Sequence, residues 1–339
     1  MNVSFNNIIC LCVAILTGCA GISLVVKGRT AEAAGGGNCA CHPRKDEKAV
    51  VHSPVKSGDC PSCHKPSGQK HPKFKKEAFL LTDNGKAGLC AECHERKDTK
   101  KNVHAPVAAG DCLDCHDPHQ SDNRFQLKEG GAALCYMCHD KSRFGSPFPH
   151  QPVAEGKCLN CHDPHQSDHK YMLKAGGADL CVTCHRKAEF SGKIVHGPVE
   201  TGDCASCHTA HGTPQHHLLK RVVPTEMYQS FDKSNFALCF GCHNDTLADS
   251  LRTDSETNFR NGMINLHYLH VNKTTKGRSC KACHDPHAAG QPSLISSRIR
   301  GFGRWRIPIR YTRTRAGGTC VVGCHKPKSY DRINPVQNP

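Results

Sequence analysis

The stretch Gly110-Asp111-Cys112-Leu113-Asp114-Cys115-His116-Asp117-Pro118-His119 decides how the rest of the chain is read. One histidine directly follows a Cys-x-x-Cys pair, and a second comes three residues later. A zinc site, a disulfide or a covalently held haem would each use part of this string. None of them uses all of it.

The same pairing runs through the sequence. Nine pairs follow C-x-x-C-H. The first five are Cys60 and Cys63 with His64, Cys90 and Cys93 with His94, Cys112 and Cys115 with His116, Cys135 and Cys138 with His139, and Cys158 and Cys161 with His162. The other four are Cys181 and Cys184 with His185, Cys204 and Cys207 with His208, Cys239 and Cys242 with His243, and Cys280 and Cys283 with His284. Two variants join them: Cys39 and Cys41 with His42 have one residue between the cysteines, and Cys320 and Cys324 with His325 have three. These eleven pairs use 22 of the 25 cysteines and leave only Cys10, Cys12 and Cys19. C-x-x-C-H is the attachment signal of c-type haem, in which both thiols become thioethers and the adjacent imidazole reaches the iron as proximal ligand. A four-ligand zinc site does not require histidine after every second cysteine, and disulfide pairing leaves the histidines unexplained. The cofactor expected is haem c, about eleven copies, covalently attached. At the shortened motif, attachment through Cys41 alone is the alternative to a double thioether.

Composition agrees. The 339 residues hold 25 Cys and 25 His but only 12 Phe, 6 Tyr and 1 Trp. Ordinary apolar side chains cannot build a core in proportion to that length, so cofactors must fill the interior.

The second histidine is then read as a ligand to another iron. Three extended residues span at most about 10 Å, and Pro118 restricts the path further. His119 cannot reach around its own porphyrin, so it is expected to serve a neighbouring haem. Internal repetition extends this reading. Val-His-x-Pro-Val-x-x-Gly-Asp-Cys recurs with small changes at His52, His104, His150 and His196, each eight residues before a motif cysteine, and each copy is followed by a second motif. Expected distal ligands are His52, His71, His104, His119, His150, His165, His196, His211, His270 and His287. An eleventh would come from His169, His216, His217 or His267. Methionine is scarce, with five in the chain. An all-histidine ligand set argues for low potentials.

The Val-His-x-Pro-Val, Cys-His-Asp-Pro-His and Leu-Cys-x-x-Cys-His strings resemble the doubled-CXXCH multihaem cytochromes c of metal-reducing and related anaerobic bacteria. The resemblance covers residues 38 to 331 and includes the tail Arg304-Trp-Arg-Ile-Pro-Ile-Arg-Tyr311 before the last motif. It implies bis-histidine, low-potential haems and respiratory electron transfer across or near the outer membrane. The first unit departs from the pattern, with Lys65-Pro-Ser-Gly-Gln-Lys-His71 in place of the compact Asp-Pro-His.

The formal charge of +15 would suit nucleic acid. Two propionates on each of eleven haems reverse that sign, so no nucleic-acid partner is expected. Arg298, Arg300, Arg304, Arg306, Arg310, Arg313 and Arg315 stand apart. Their alternation, as in Arg304-Trp305-Arg306, reads as a half-exposed extended strand serving propionate pairing or partner docking. Residues 1–26 carry no charged side chain and run apolar from Ile8, as an export signal does. Leu16-Thr17-Gly18-Cys19 resembles a lipobox, which makes Cys19 a lipidation candidate. Cleavage after Ala33 and retention of residues 5–26 as an anchor are the rival readings.

The fold class expected is irregular: mostly loops with short helices and little sheet, in an elongated protein whose core is a stack of haems. The expected units are the export segment 1–33, a half repeat 34–52, repeats 53–103, 104–149, 150–195 and 196–266, and a last unit with a basic tail, 267–339. The expected function is electron transfer between periplasmic donors and an outer-membrane or extracellular acceptor, without catalysis. Other cytochromes, an outer-membrane porin or an extracellular metal acceptor would be the partners. The protein is expected in the periplasm or outer membrane, held by a lipid anchor or its N-terminal segment. The alternative is a multihaem reductase with one open iron, acting on nitrite, hydroxylamine or a sulfur oxyanion.

Overall fold

The computed structural model describes residues 45–70, 78–301 and 304–338. Cys19, Cys39, Cys41, His42 and His71 lie outside these residues. Short helices, two-stranded antiparallel pairs and loops make up most of the described chain, and no helix in it is long and apolar enough to cross a membrane.

Each repeat is tied to the next by a backbone clasp. Val50–Val51 pairs antiparallel with Gln120–Ser121, Asn102–Val103 with Gln166–Ser167, Phe148–Pro149 with Gly212–Thr213, and Ile194–Val195 with Ala288–Ala289. The pairing runs one residue further. The N–H groups of His52, His104, His150 and His196 donate to the carbonyls of His119, His165, His211 and His287 at 2.9 to 3.2 Å. Strands this short are not stable alone. Their sequence separation therefore makes each clasp dependent on whatever fills the space between repeats.

Four-residue helices follow the clasp: Ser53–Lys56, Ala105–Ala108, Gln151–Ala154 and Gly197–Glu200. Each carries proline at its start, where the missing N–H costs nothing. Glycine ends each one: Gly58, Gly110, Gly156 and Gly202 have φ between +67° and +78°. At three of them the packing is tight as well, since a Cβ on Gly110, Gly156 or Gly202 would lie within 3.0 to 3.3 Å of Ala87, Ala132 or Ala178 in the short helix of the preceding motif.

Apolar burial is unevenly spread. Among the described residues from Phe79 to Asn235 no large apolar side chain is buried, while the hydroxyl residues Ser121, Ser167 and Thr213 are. Past residue 235 a conventional interior appears. Phe236 is buried and neighbours the rings of Phe231 and Phe240. Asn265 is fully buried, its amide donating to the Leu247 and Ser250 carbonyls and its oxygen capping helix Leu266–Val271. A four-stranded antiparallel sheet closes the chain, in the order Arg298–Arg300, Arg306–Arg313, Gly317–Val322 and His325–Asp331. Its inner face is built on Ile299, Ile307 and Ile309, with Met227, Ile295, Cys320 and Val322 against them. The alternation expected around Arg304-Trp305-Arg306 is thus a pair of strands with isoleucine inward and arginine outward.

Candidate haem sites

In all nine regular motifs the backbone closes one helical turn, the histidine N–H donating to the carbonyl of the first cysteine at 2.9 to 3.1 Å. This turn presents two thiols and one imidazole together. The variant at Cys320, Cys324 and His325 is built differently. Its cysteines and histidine lie on the hairpin formed by Gly317–Val322 and His325–Asp331, with Val322 opposite His325 and an irregular register between Cys320 and Val322. The three-residue spacer is what the hairpin turn needs.

The second cysteine of each motif, expected as a thioether position, sits close to the surface. Cys93, Cys138, Cys184, Cys242 and Cys324 are exposed, and Cys63, Cys115, Cys161, Cys207 and Cys283 are half-buried. None of these ten forms a disulfide. Cysteine is ordinarily among the most buried residue types, behaving as a small apolar side chain. A sulfur placed so close to the surface fits the thioether role, in which it bonds to the haem. In the repeats the two kinds alternate along the chain: half-buried Cys63, Cys115, Cys161 and Cys207 belong to the first motif of a repeat, and exposed Cys93, Cys138, Cys184 and Cys242 to the second.

Opposite nearly every described motif histidine stands a second imidazole. Ring centroids lie 5.9 Å apart for His52 and His94, 6.1 Å for His64 and His119, 6.0 Å for His104 and His139, and 6.1 Å for His116 and His165. The series continues with His150 and His185 at 6.1 Å, His162 and His211 at 6.0 Å, His196 and His243 at 6.0 Å, and His208 and His287 at 6.1 Å. His270 and His325 are 6.5 Å apart. His267 is within electrostatic reach of His284. A metal–imidazole bond of about 2 Å on either side, plus roughly 1 Å from each ring centre to its nitrogen, requires about 6 Å between ring centres. The gaps therefore fit one iron between each pair.

The nitrogens are arranged for that use. Nδ1–H of His52, His104, His150 and His196 donates to the carbonyls of Pro118, Pro164, Ala210 and Pro286 at 2.9 to 3.1 Å. Nδ1–H of His116, His162, His208 and His284 donates to Phe125, Tyr171, His217 and Ser293, each nine residues on, at 2.8 to 2.9 Å. With Nδ1 engaged, Nε2 is the nitrogen left for a metal, and such bonds fix tautomer and ring orientation. Burial holds His119, His165, His211 and His287 below the ordinary imidazole pKa and takes His267 down to about 4. Neutral imidazoles keep their lone pairs. Burial alone would raise Asp117 and Asp163. The backbone N–H groups of His119 and Gln120, and of His165 and Gln166, donate to them and keep both below the usual carboxylate range.

The carbonyls that hold the motif histidines come from an unusual backbone. Phe125, Tyr171, His217 and Ser293 have φ of 57° to 60°, and each next residue is also left-handed. Such conformations cost of order 1–3 kcal/mol for a side-chain-bearing residue. The second residue of each turn accepts from the backbone N–H after the motif histidine, as Gln126 does from Asp117. Nothing in these side chains announces the role, which belongs to the backbone; only their common offset of nine residues from a motif histidine could have drawn attention to them.

Consecutive motifs also adjoin through their sulfurs. Burial and the neighbouring Cys112, Cys158 and Cys204 thiols push Cys90, Cys135 and Cys181 up to about 11. Cys239 and Cys280 share the same contact. The second motif of each repeat thus touches the first motif of the next. Of the surplus histidines, His216 lies 4.1 Å from the Phe148 ring and His217 supplies the carbonyl for His208. A Cβ on Gly176 would meet the His169 ring at 2.9 Å.

A sequence profile described as Doubled CXXCH motif matches residues 52–99, 104–144, 150–190 and 196–248, just over half of the chain. This chain belongs to that doubled CXXCH motif family. It is a multihaem c-type cytochrome that binds haem covalently through its repeated motifs. A similar relative is the multiheme cytochrome MtrA of Shewanella baltica (strain OS185), 30% identical over 112 residues, which are 30% of this cytochrome and 31% of the relative. The match spans under a third of that relative's length.

Proposed function

We propose that this cytochrome is a low-potential electron conduit carrying eleven haems, ten on the described motifs and one on Cys39, Cys41 and His42. The observation that carries the reading is the set of facing imidazoles. It supports His64 with His119, His94 with His52, His116 with His165, His139 with His104 and His162 with His211 as axial pairs. It likewise supports His185 with His150, His208 with His287, His243 with His196, His284 with His267 and His325 with His270. His71 is proposed for the motif ending at His42. The thioethers are proposed on both cysteines of every described motif, the exposed Cys93, Cys138, Cys184, Cys242 and Cys324 included.

The pairing has a rule. A Val-His ligand serves the second haem of its own repeat, and an Asp-Pro-His ligand serves the first haem of the repeat before. Both ligands come from one clasp, so His52 and His119, hydrogen-bonded through their backbones, would hold two different irons. Bound haem supplies the one-electron ferric/ferrous couple. The chain's own contribution is to orient eight imidazoles by Nδ1 bonds, to hold the buried His119, His165, His211, His267 and His287 below the ordinary imidazole pKa, and to set successive motifs sulfur to sulfur, so that electrons move in chain order. Two histidines at each described motif would leave its iron no position for a substrate, which favours transfer over catalysis.

An exported location, with donors in the periplasm and an acceptor at the outer membrane or outside it, is part of the proposal. It rests on the uncharged apolar N-terminus, with Cys19 as lipid-bearing residue, and on the likeness to a multiheme cytochrome. Partners are other cytochromes, a porin or an extracellular metal acceptor.

Low-temperature electron paramagnetic resonance of the oxidised holoprotein, with haem content by pyridine haemochrome, tests the reading. Eleven haems with low-spin ferric signals alone are expected. A high-spin signal that shifts on adding nitrite or hydroxylamine would overturn it in favour of a reductase.

A further inference from the structure

The outer face of the C-terminal sheet is a surface of unpaired positive charge. Between Asp285 and Asp331 the sequence holds seven arginines, two lysines and no carboxylate side chain. Arg298, Arg300, Arg306 and Arg310 alternate with buried Ile299, Ile307 and Ile309, so the four guanidinium groups leave the same side of the sheet, and all four residues are exposed. Arg300 stands directly opposite Arg306 across the strand pair. Like charges in that position are destabilising. Among the described residues none of the four makes an ion pair or a side-chain hydrogen bond. The strand partners on this face, Thr319 opposite Thr312 and Val321 opposite Arg310, offer no counter-charge.

The same sheet carries the last haem motif. Cys320 lies opposite Tyr311 on the inner face, away from the four arginines, and interacts with Cys283 of the preceding motif. Trp305 is 53% exposed, between Arg304 and Arg306. A Cβ on Gly323, inside the last motif, would lie 3.9 Å from its indole. The indole lies beside Ile307, near Gly301 and Gly323, at the edge of the sheet, and an exposed tryptophan is the side chain most enriched in interface hot spots. Guanidinium groups pair with carboxylates in a planar, two-pronged way that a flat sheet presents well.

We infer that this face docks an acidic redox protein and makes the motif at Cys320 and Cys324 the port at which that partner exchanges electrons. The inference rests on the electron-transfer reading above. In each encounter one electron passes between partner and terminal haem, one centre being oxidised as the other is reduced, and no bond is made or broken. Placing the charge on the reverse of the one sheet that carries the terminal motif favours a redox protein over a lipid surface, which would gain nothing from that arrangement. Complementary charge of this kind typically raises association rates 10- to 1000-fold at low salt.

The test uses the full holoprotein and fully reduced flavodoxin, an acidic one-electron donor, mixed by stopped flow at rising ionic strength. The native rate is expected to fall at least tenfold between about 10 and 200 mM salt as the attraction is screened. A variant with Arg298, Arg300, Arg306 and Arg310 all changed to Gln is expected to lose about tenfold at low salt and most of the salt dependence. The corresponding Arg→Lys variant, which keeps the charge, should retain the salt dependence. A control with Lys101, Lys128, Lys141 and Lys187 changed to Gln should stay within twofold of native. Equal flavodoxin rates in native and Gln variant overturn the docking face. So does co-sedimentation of native but not Gln variant with phosphatidylglycerol vesicles at unchanged flavodoxin rates. Titanium(III) citrate separates the two levels of argument. Full reduction by it alongside indifferent flavodoxin rates removes the docking face alone, whereas failure of that reduction removes the electron-transfer reading beneath it.

Discussion

The repeats from Val50 to Gln229 and the unit that follows them hold themselves together by different means. In the repeats the buried side chains are three hydroxyls and Ala78 among the described residues, and the contacts between units are two-residue strands and glycine turns. In the last unit Phe236, Ile299, Ile307 and Ile309 are buried and a four-stranded sheet runs through eight- and six-residue strands. The motif geometry changes only at the very end: helical turns at all nine regular motifs, those at Cys239 and Cys280 included, and a hairpin at Cys320 and Cys324. One chain therefore contains a region with almost no buried apolar side chain and a region with a conventional protein interior.

Withholding the cofactor is the largest way to break that contrast. A chain with its motif cysteines changed to alanine is expected to exchange the amides of residues 50–229 at unfolded-chain rates, because backbone entropy of roughly 1–2 kcal/mol per residue has no apolar burial to offset it. Amides of Arg306–Arg313 and Gly317–Val322 should keep measurable protection. Hydrogen exchange with mass spectrometry reads both in one experiment. Protection in the repeats equal to that in the sheet would erase the distinction.

Removing apolar volume from each region sharpens it. Ile307 is 1% exposed, and Ile307→Ala should cost about 2–5 kcal/mol in the last unit. Val107 is only half-buried on its four-residue helix, and Val107→Ala should cost about 1 kcal/mol or less. Denaturant melting of the holoprotein, followed by tryptophan emission for the sheet and haem absorbance for the repeats, separates the two.

A glycine pair probes the joints between repeats. Gly58 and Gly110 share a left-handed φ of +73° and +78°, but among the described residues only Gly110 is closely packed, its Cβ position 3.3 Å from the Ala87 backbone nitrogen. Each change to alanine should cost about 1–2 kcal/mol for the conformation. Gly110→Ala should cost roughly 1 kcal/mol more for the crowding. Equal melting shifts for the two variants would mean that the contact between Gly110 and Ala87 carries no weight in the joint.

These joints also mark how far the sequence could be read. C-x-x-C-H spacing and its longer variant pointed to every described thiol and motif histidine, and the short Asp-Pro tether turned His119 away from its own motif, so that its ring faces His64. Periodicity gave the arginine strands as well. Spacing could not say which thiols would lie exposed, because the surface position of Cys93 or Cys242 depends on how the next repeat packs. Which iron a Val-His ligand serves was left open, because His104 passes over the nearest motif to face His139, a choice made by the clasp with His165 sixty-one residues away. His267 was one of four equal candidates until Asn265 and its buried amide set the helix that carries it. The left-handed turns at Phe125, Tyr171, His217 and Ser293 had no side-chain pattern, since four unlike residues do the same backbone task.

The smallest expected effect lies where the two regions meet. Ser121, Ser167 and Thr213 each turn a hydroxyl to the carbonyl of Leu127, Leu173 or Leu219 and hold the loop after the Asp-Pro-His or its Thr-Ala-His counterpart. In the last copy Ala289 occupies that position. Its loop is held instead by Gln291, whose Nε2 donates to Ile295, Ser296 and Ile309 carbonyls while its Oε1 accepts from the Tyr311 backbone N–H. Ser121→Ala should then cost about 1 kcal/mol, the net worth of one buried hydrogen bond, and affect only its own repeat. Gln291→Ala should exceed it, because it leaves the Tyr311 N–H unpaired and cuts the loop from the sheet. Melting curves that place Ser121→Ala at or above Gln291→Ala would show that the repeats, not the sheet, depend more on these side-chain ties.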